Sequence, residues 1–400
     1  MYRSRLILCF ALLFTFALQC LPLTALADTG RWITTGPYGG LANSLVASPS
    51  YGEDHTVFAG TGNGVFVSRN GGASWTTWSG DLSYSSVWSL AVAPNYGSSR
   101  TLFAGTADAG IYVSRQGGSD WQYTSGDYDD AGVYWLACSS QYATDGTVFA
   151  ATDYGMLRSS DQGTTWTPAG SGLPDEVVYA VALSPQFGSD HTAWAAVANT
   201  GIFRSTDTGA TWQPASNGLS MPDIWAILPS PQYVHDRTVF AATAGDGVYR
   251  STDGGISWAP ARQGMGLALV WSLAASPNYA LDRTLVASTG GGGMYLSSDG
   301  GNSWHGINAG LTDPLVWVVT FTPTYGTDRT LLAGAEAQGI FRSTNAGQSW
   351  ATSSSGLNNL SPTLFSSHRT MHKIAPFSSA PVPVASGRRT TGAIGPALVQ

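Results

Sequence analysis

Charge is scarce in this chain: Asp, Glu, Lys and Arg make up 11% of its 400 residues, against about 25% in an average soluble protein. That figure excludes a coiled coil, a charged disordered chain and a basic nucleic-acid binder. The net charge of −7 also has the wrong sign for a phosphate backbone. Cysteine is nearly missing, with only Cys9, Cys20 and Cys138. Beyond the first 27 residues no apolar run approaches the ~20 residues of a membrane helix, so no membrane span is expected. What the chain does hold is 43% hydrophobic residues, 49 Gly, 15 Trp and 17 Tyr. Short strands joined by tight turns use those residues, so the composition reads as all-β.

The N-terminus is a separate object. Arg3 and Arg5 precede an apolar run over 6–18, and Ala25-Leu26-Ala27 forms a small-x-small site. That layout predicts a secretory signal peptide over 1–27, cleaved near Ala27, and a secreted or extracytoplasmic protein. Lipid anchoring at Cys20 is disfavoured because Ala17-Leu18-Gln19 makes a poor lipobox. Cys9 and Cys20 leave with the signal, so no internal disulfide and no thiolate metal cluster is expected. Cys138 follows an apolar run and reads as a core residue.

Aligning the chain with itself exposes a repeat. The pattern Ser-x-(Asp/Asn/Gln)-x-Gly-x-x-Trp recurs seven times, at 68–75, 114–121, 159–166, 205–212, 251–258, 297–304 and 343–350. Successive Trp residues are 46, 45, 46, 46, 46 and 46 apart. Three short apolar or β-branched segments precede each copy and one follows it, so each unit reads as four antiparallel strands. Four-stranded units of ~40–50 residues are propeller blades. The expected fold is a seven-bladed all-β propeller over 28–354. From 355 to 400 the chain carries Arg369, Lys373, Arg388 and Arg389, five Pro and no acid, and reads as a disordered basic tail. The segment 31–35, Arg-Trp-Ile-Thr-Thr, echoes Trp75-Thr76-Thr77-Trp78 and is a candidate extra outer strand for closing the ring.

Within the motif, Ser68, Asn70, Trp75, Ser114, Trp121, Ser159, Asp161, Trp166, Ser205, Asp207, Trp212, Ser251, Asp253, Trp258, Ser297, Asp299, Trp304, Ser343, Asn345 and Trp350 have a structural reading. The acid or amide bonds turn amides, Gly takes a positive φ, and Trp packs over the turn. These seven boxes resemble the BNR or Asp-box repeat of sialidases, xyloglucan-active glycoside hydrolases, sortilin-type receptors and photosystem II assembly-factor propellers. The resemblance implies the propeller fold over about four fifths of the chain and leaves activity open, since the box is structural in that family. Sialidases pair a Phe-Arg-Ile-Pro-like segment with three clustered arginines. Here Phe203-Arg204 and Phe341-Arg342 are repeat positions followed by Ser.

Strand order sorts the loops. The first and third turns of each blade share one end, which the boxes mark as the bottom; the second turns and the blade-to-blade connections share the top. Bottom acids recur in the boxes and at Glu53, Asp145, Asp190, Asp236, Asp282 and Asp328. The top loops hold twelve acids: Asp81, Asp108, Asp127, Asp129, Asp130, Asp153, Asp175, Glu176, Asp223, Asp246, Asp313 and Glu336. Arg262 is the one top cation. Such a face repels sialic acid, polyuronates and nucleic acid and attracts cations or basic surfaces. Beside it, Trp88, Tyr134, Tyr179, Trp225, Trp271 and Trp317 start the innermost strand of six blades. They are candidates both for packing between blades and for stacking a ligand.

Asp129, Asp130, Asp175 and Glu176 are candidate ligand-binding residues, and carboxylates from different blades are the candidates for glycoside hydrolysis. No spacing of His or Cys suits zinc, no EF-hand pattern is present, and no dinucleotide loop precedes a helix. No metal or cofactor is expected, and the catalytic residues, if any, are not assigned. The reading is a monomeric secreted or cell-surface module that binds a protein or a neutral glycan without catalysis. The alternative is a hydrolase of neutral polysaccharide working through a top-face carboxylate pair.

Overall fold

A computed structural model of the chain describes residues 41–357. They form seven four-stranded antiparallel sheets, each in plain sequence order from inner to outer strand. The fifth blade is representative: Ile224–Pro229, Val239–Thr243, Val248–Ser251 and Ala259–Pro260. The second strand is buried along its whole length in every blade. The outer strand is only two residues long, and exposed, in six of the seven. Brevity blunts an edge that would otherwise recruit another chain, and Pro168, Pro214 and Pro260 on it remove the donor outright.

The hydrophobic core lies between blades. Seven clusters fill the seven seams, from Phe58 with Leu102 between the first two blades to Leu45 with Leu332 between first and last. The inner strands touch their neighbours all round, closing a ring about a central channel.

The boxes sit where they lock these seams. In the fifth blade Ser251 Oγ donates to Asp253 Oδ1 at 2.7 Å and accepts the Gly255 N–H at 2.8 Å; Asp253 Oδ1 accepts the N–H groups of Ile256 and Ser257. Gly255 has φ +85°, and a Cβ there would lie 2.2 Å from Trp194 Nε1 of the preceding blade. The box Trp points the same way. Trp258 donates its indole N–H to Ala215 O at 2.8 Å, and Trp121, Trp212, Trp304 and Trp350 reach the preceding blade's carbonyls identically. Trp166 bonds Thr124 Oγ1 instead, at 3.3 Å. The motif therefore clamps each blade to its predecessor, where sequence places the Trp over its own turn.

Ring closure repeats the rule. Trp75 donates to Ser353 O at 2.8 Å, its backbone N–H donates to Ser355 O, and Arg342 Nε donates to Gly71 O at 2.9 Å. The last blade has its own outer strand, Ala351–Thr352; the candidate strand at 31–35 lies outside the described residues, as do 1–27 and 358–400. Residues 355–357, read from sequence as the start of the tail, belong to this closure, with Leu357 buried among first-blade residues. The tail boundary at Ser355 is thus three residues early.

Two further expectations are corrected. The recurring acid of the first bottom turn is Asp54, not Glu53: Asp54 accepts Ser48 Oγ at 2.8 Å and the Thr56 N–H at 2.8 Å, as Asp236 does with Ser230 and Thr238. In the second blade, where Gln116 occupies the acid position, Asp120 supplies the carboxylate from the far side of the turn, accepting Ser114 Oγ at 2.5 Å.

Candidate functional site

Backbone bonds fix which loops share an end. The residue closing each first turn accepts an N–H from the box turn, as in Gly71 N to His55 O and Gly254 N to Arg237 O. At the other end, Gly247 N donates to Ala268 O and Gly64 N to Ser85 O, tying second turns to blade connections.

At that top end every inner strand bulges at one place. Pairing with the second strand skips Asn43, Trp88, Tyr134, Tyr179, Trp225, Trp271 and Trp317. A bulge re-aims the side chain of its unpaired residue, and here seven of them form a crown around the channel mouth. Trp88, Tyr134, Tyr179 and Trp225 follow one another with ring centroids 5.1, 5.4 and 4.9 Å apart. Trp271 and Trp317 lie parallel at 3.9 Å. The packing and ligand-stacking readings are thus not exclusive, since the rings pack on one another, edge to face or stacked, and remain half-buried. In the seventh place Asn43 Nδ2 donates to Val87 O at 3.0 Å, leaving Oδ1 without a partner.

Sequence reasoning missed Trp135. Six blades carry Ser44, Ser89, Ala180, Ala226, Ser272 or Val318 at its place, next to the crown residue. Trp135 packs on the seam of its own blade and also on the cluster between the fifth and sixth blades, so it crosses the channel. The signal was available as the single bulky exception in an otherwise small column.

The top acids divide into two sets. Asp153 accepts the Gly132 N–H at 3.0 Å, Asp223 that of Asn199 at 3.0 Å, and Asp313 those of Leu315, Ala337 and Gln338. Asp246 pairs with Arg262 and accepts Ser220 Oγ at 2.5 Å and the Tyr249 hydroxyl. Partial burial pushes the Asp246 carboxyl up, but these donors outweigh it and hold it below the ordinary range. Asp81, Asp108, Asp127, Asp129, Asp130, Asp175, Glu176 and Glu336 are exposed, as is Asp153 despite its bond. Asp130 accepts the Tyr154 hydroxyl at 2.7 Å, which raises the phenol's pKa. Asp129 and Asp130 lie between the second and third blades, Asp175 and Glu176 between the third and fourth, so the two pairs stand on separate connections. With Arg262 paired, the face is strongly negative.

Elsewhere the chemistry is quiet. Burial, then Asp145, pushes the Cys138 thiol up to about 12. Among the described residues no group of three or more His, Cys, Asp or Glu is placed to hold a metal ion, and no helix is long and apolar enough to cross a membrane.

Comparison with known proteins bears on the fold. The BNR/Asp-box repeat family model matches residues 249–260. No curated protein sequence matches the chain. Among solved structures, the GH74 xyloglucanase from Xanthomonas campestris is 17% identical with a TM-score of 0.63, over 80% of this chain and 55% of that one. The GH74 enzyme of Niastella koreensis is 18% identical with a TM-score of 0.64 and the same coverage. The chain therefore spans about half the length of these enzymes. YCF48 from Cyanidioschyzon merolae is 15% identical with a TM-score of 0.55, over 76% of this chain and 96% of that one, and a second YCF48 structure holds a D1 peptide. Likeness at this identity speaks for architecture alone. The chain is a seven-bladed β-propeller, one of whose seven box segments matches the BNR/Asp-box repeat model.

Proposed function

We propose that this protein is an extracytoplasmic, non-catalytic binding module whose top face captures a protein or a neutral glycan. One observation carries the reading: seven bulges deliver a crown of six aromatics and one Asn to the channel mouth, beside nine exposed carboxylates. Bulged, half-exposed aromatics are a costly way to fill a core and a good way to present a contact surface. YCF48, a propeller that this chain matches over nearly its whole length, is seen with a peptide, which favours a protein ligand. Secretion rests on the signal-like segment 1–27.

The hydrolase alternative draws on the xyloglucanase neighbours. It needs two free carboxylates ~5 Å or ~6.5–9.5 Å apart across blades. Asp153, Asp223, Asp246 and Asp313 are instead held by backbone, hydroxyl or guanidinium donors. Incubation with chromogenic glucosides and xyloglucan discriminates the two. The binding reading expects no turnover above background; turnover abolished by Asp130→Asn or Glu176→Gln overturns it.

A further inference from the structure

Departures from the repeat gather in one place. At the bottom of the seam between the first and second blades lies a cavity of about 250 Å³, and four of the residues lining it break their columns. Trp78 stands where the other six blades carry Thr, Ala, Ile or Ser. Arg69 stands where five blades carry Ser or Thr, and Val67 where four carry Arg. Gln116 takes the place of the Asp or Asn of the other boxes.

These exchanges change what the seam has to spare. Elsewhere an arginine bonds the neighbouring box: Arg115 Nη2 donates to Gln162 O at 3.2 Å, Arg250 Nη1 to Gly300 O at 3.1 Å and Arg342 Nε to Gly71 O at 2.9 Å. In this seam Gly117 O is the matching acceptor, and the Trp78 indole N–H takes it, at 2.9 Å. Arg69 is left with that indole as its support, its Cζ 4.5 Å from the ring centroid. Arg100 lies over Tyr96, 5.3 Å from its centroid. The ion pairs among the described residues are Arg262–Asp246 and Arg283–Asp236, so neither cavity arginine has a carboxylate partner. Asp120 holds the box turn from its far side, so Gln116 puts a neutral amide where the other boxes commit an acid or Asn to the turn. Asp54, the one acid of the lining, is held by Ser48 Oγ and the Thr56 N–H.

We infer that this cavity binds a small organic carboxylate, at a site separate from the top face. Two guanidinium groups offer the forked donors that match a planar carboxylate, and stacking on an indole holds one of them in place. Gln116 adds a neutral donor, and buried Phe58 and Val67 give an apolar wall for the body of the ligand. The volume lies below the ~300–1,000 Å³ of pockets for drug-sized ligands, which keeps the ligand small. Where a repeat breaks its own rule at several columns that meet in one cavity, a function for that cavity accounts for the breaks together.

The experiment titrates the purified chain at low ionic strength with benzoate, with benzamide as its neutral isostere and with inorganic phosphate as a tetrahedral anion, read by saturation-transfer NMR. Benzoate should bind about tenfold tighter than benzamide and tighter than phosphate. Arg69→Gln and Arg100→Gln should each weaken benzoate by about fivefold. Gln116→Glu is near-isosteric, sits where other boxes carry an acid, and should weaken it as much by repulsion. Arg283→Gln removes the counterpart of Arg100 from a seam without these exchanges and should leave binding within about twofold of the parent. Thermal melting of each variant separates lost binding from lost fold. Parent-like benzoate binding in folded Gln116→Glu overturns the site, as do equal binding of benzamide and equal weakening by Arg283→Gln. Phosphate binding tighter than benzoate overturns the carboxylate assignment.

Discussion

The two ends of the ring carry equal numbers of carboxylates and use them differently. At the bottom, box acids accept an amide and two hydroxyls, as Asp299 does from Ser303 N, Ser303 Oγ and Ser297 Oγ. The acids of the first turns accept a Ser or Thr hydroxyl and an amide. Arginines supply the opposite charge there: Arg100, Arg237, Arg283 and Arg329 each lie over the Tyr of their own turn, 5.2–5.7 Å from its centroid. At the top, nine of twelve acids are exposed and the one Arg is paired. An acid bound by its own turn stabilises the fold and has little to offer a partner, while an exposed one does the reverse.

That contrast can be broken most forcefully at the bottom. Trp258→Ala removes a buried indole and its bond to Ala215 O, so it should cost about 3–5 kcal/mol in urea unfolding. Gly264→Ala comes next: a Cβ would lie 2.0 Å from Trp304 O at φ +94°, so it should destabilise by more than the ~1 kcal/mol of an ordinary surface change, as measured by the same titration. At the top, Asp129→Asn/Asp130→Asn should leave unfolding within about 0.5 kcal/mol of the parent, while lowering affinity for a cationic partner and flattening its salt dependence.

The pH dependence sharpens the comparison. Partial burial pushes the Asp253 and Asp299 carboxyls up, but hydroxyl and amide donors outweigh it and hold both at about 2, against an ordinary 3.8. Their folded pKa is depressed, so the stability they contribute is complete above about pH 4 and is lost as pH falls towards 2. Asp253→Asn should therefore be less stable than the parent at pH 7 and indistinguishable from it below pH 2, by thermal melting across that range. The smallest effect concerns Cys138, whose thiol should stay unreactive towards a thiol reagent at pH 8 until the fold is opened.

Much of this architecture was legible in the chain. A 46-residue period with a Trp in each copy gives blade number, strand order and the sorting of loops into two ends, because a four-stranded meander allows only one such sorting. Register within a turn was less legible: Glu53 and Asp54 are adjacent, and only the bonds to Ser48 and Thr56 single out Asp54. Asp120 was hidden because hydrogen bonding needs a carboxylate in the right place, and a turn offers that place from either end. The crown positions were visible as a column of aromatics, yet their bulges were not, since a skipped pairing leaves no mark in composition. Trp135 shows the remaining limit: a side chain's reach across a channel depends on tertiary distance, which a local pattern does not carry.

The most direct test sets the two ends against each other in one pair of variants. Asp161→Asn/Asp207→Asn/Asp253→Asn/Asp299→Asn neutralises four box acids, and Asp129→Asn/Asp130→Asn/Asp175→Asn/Glu176→Gln neutralises four exposed top acids, changing net charge equally. Urea unfolding and binding of the cationic peptide tetra-arginine amide are then measured on both at pH 7. The first set should lose stability and keep its affinity, and the second should keep stability and lose affinity. Equal destabilisation by the two sets, or unchanged affinity in the second, would contradict the division of the molecule into a structural end and a binding end.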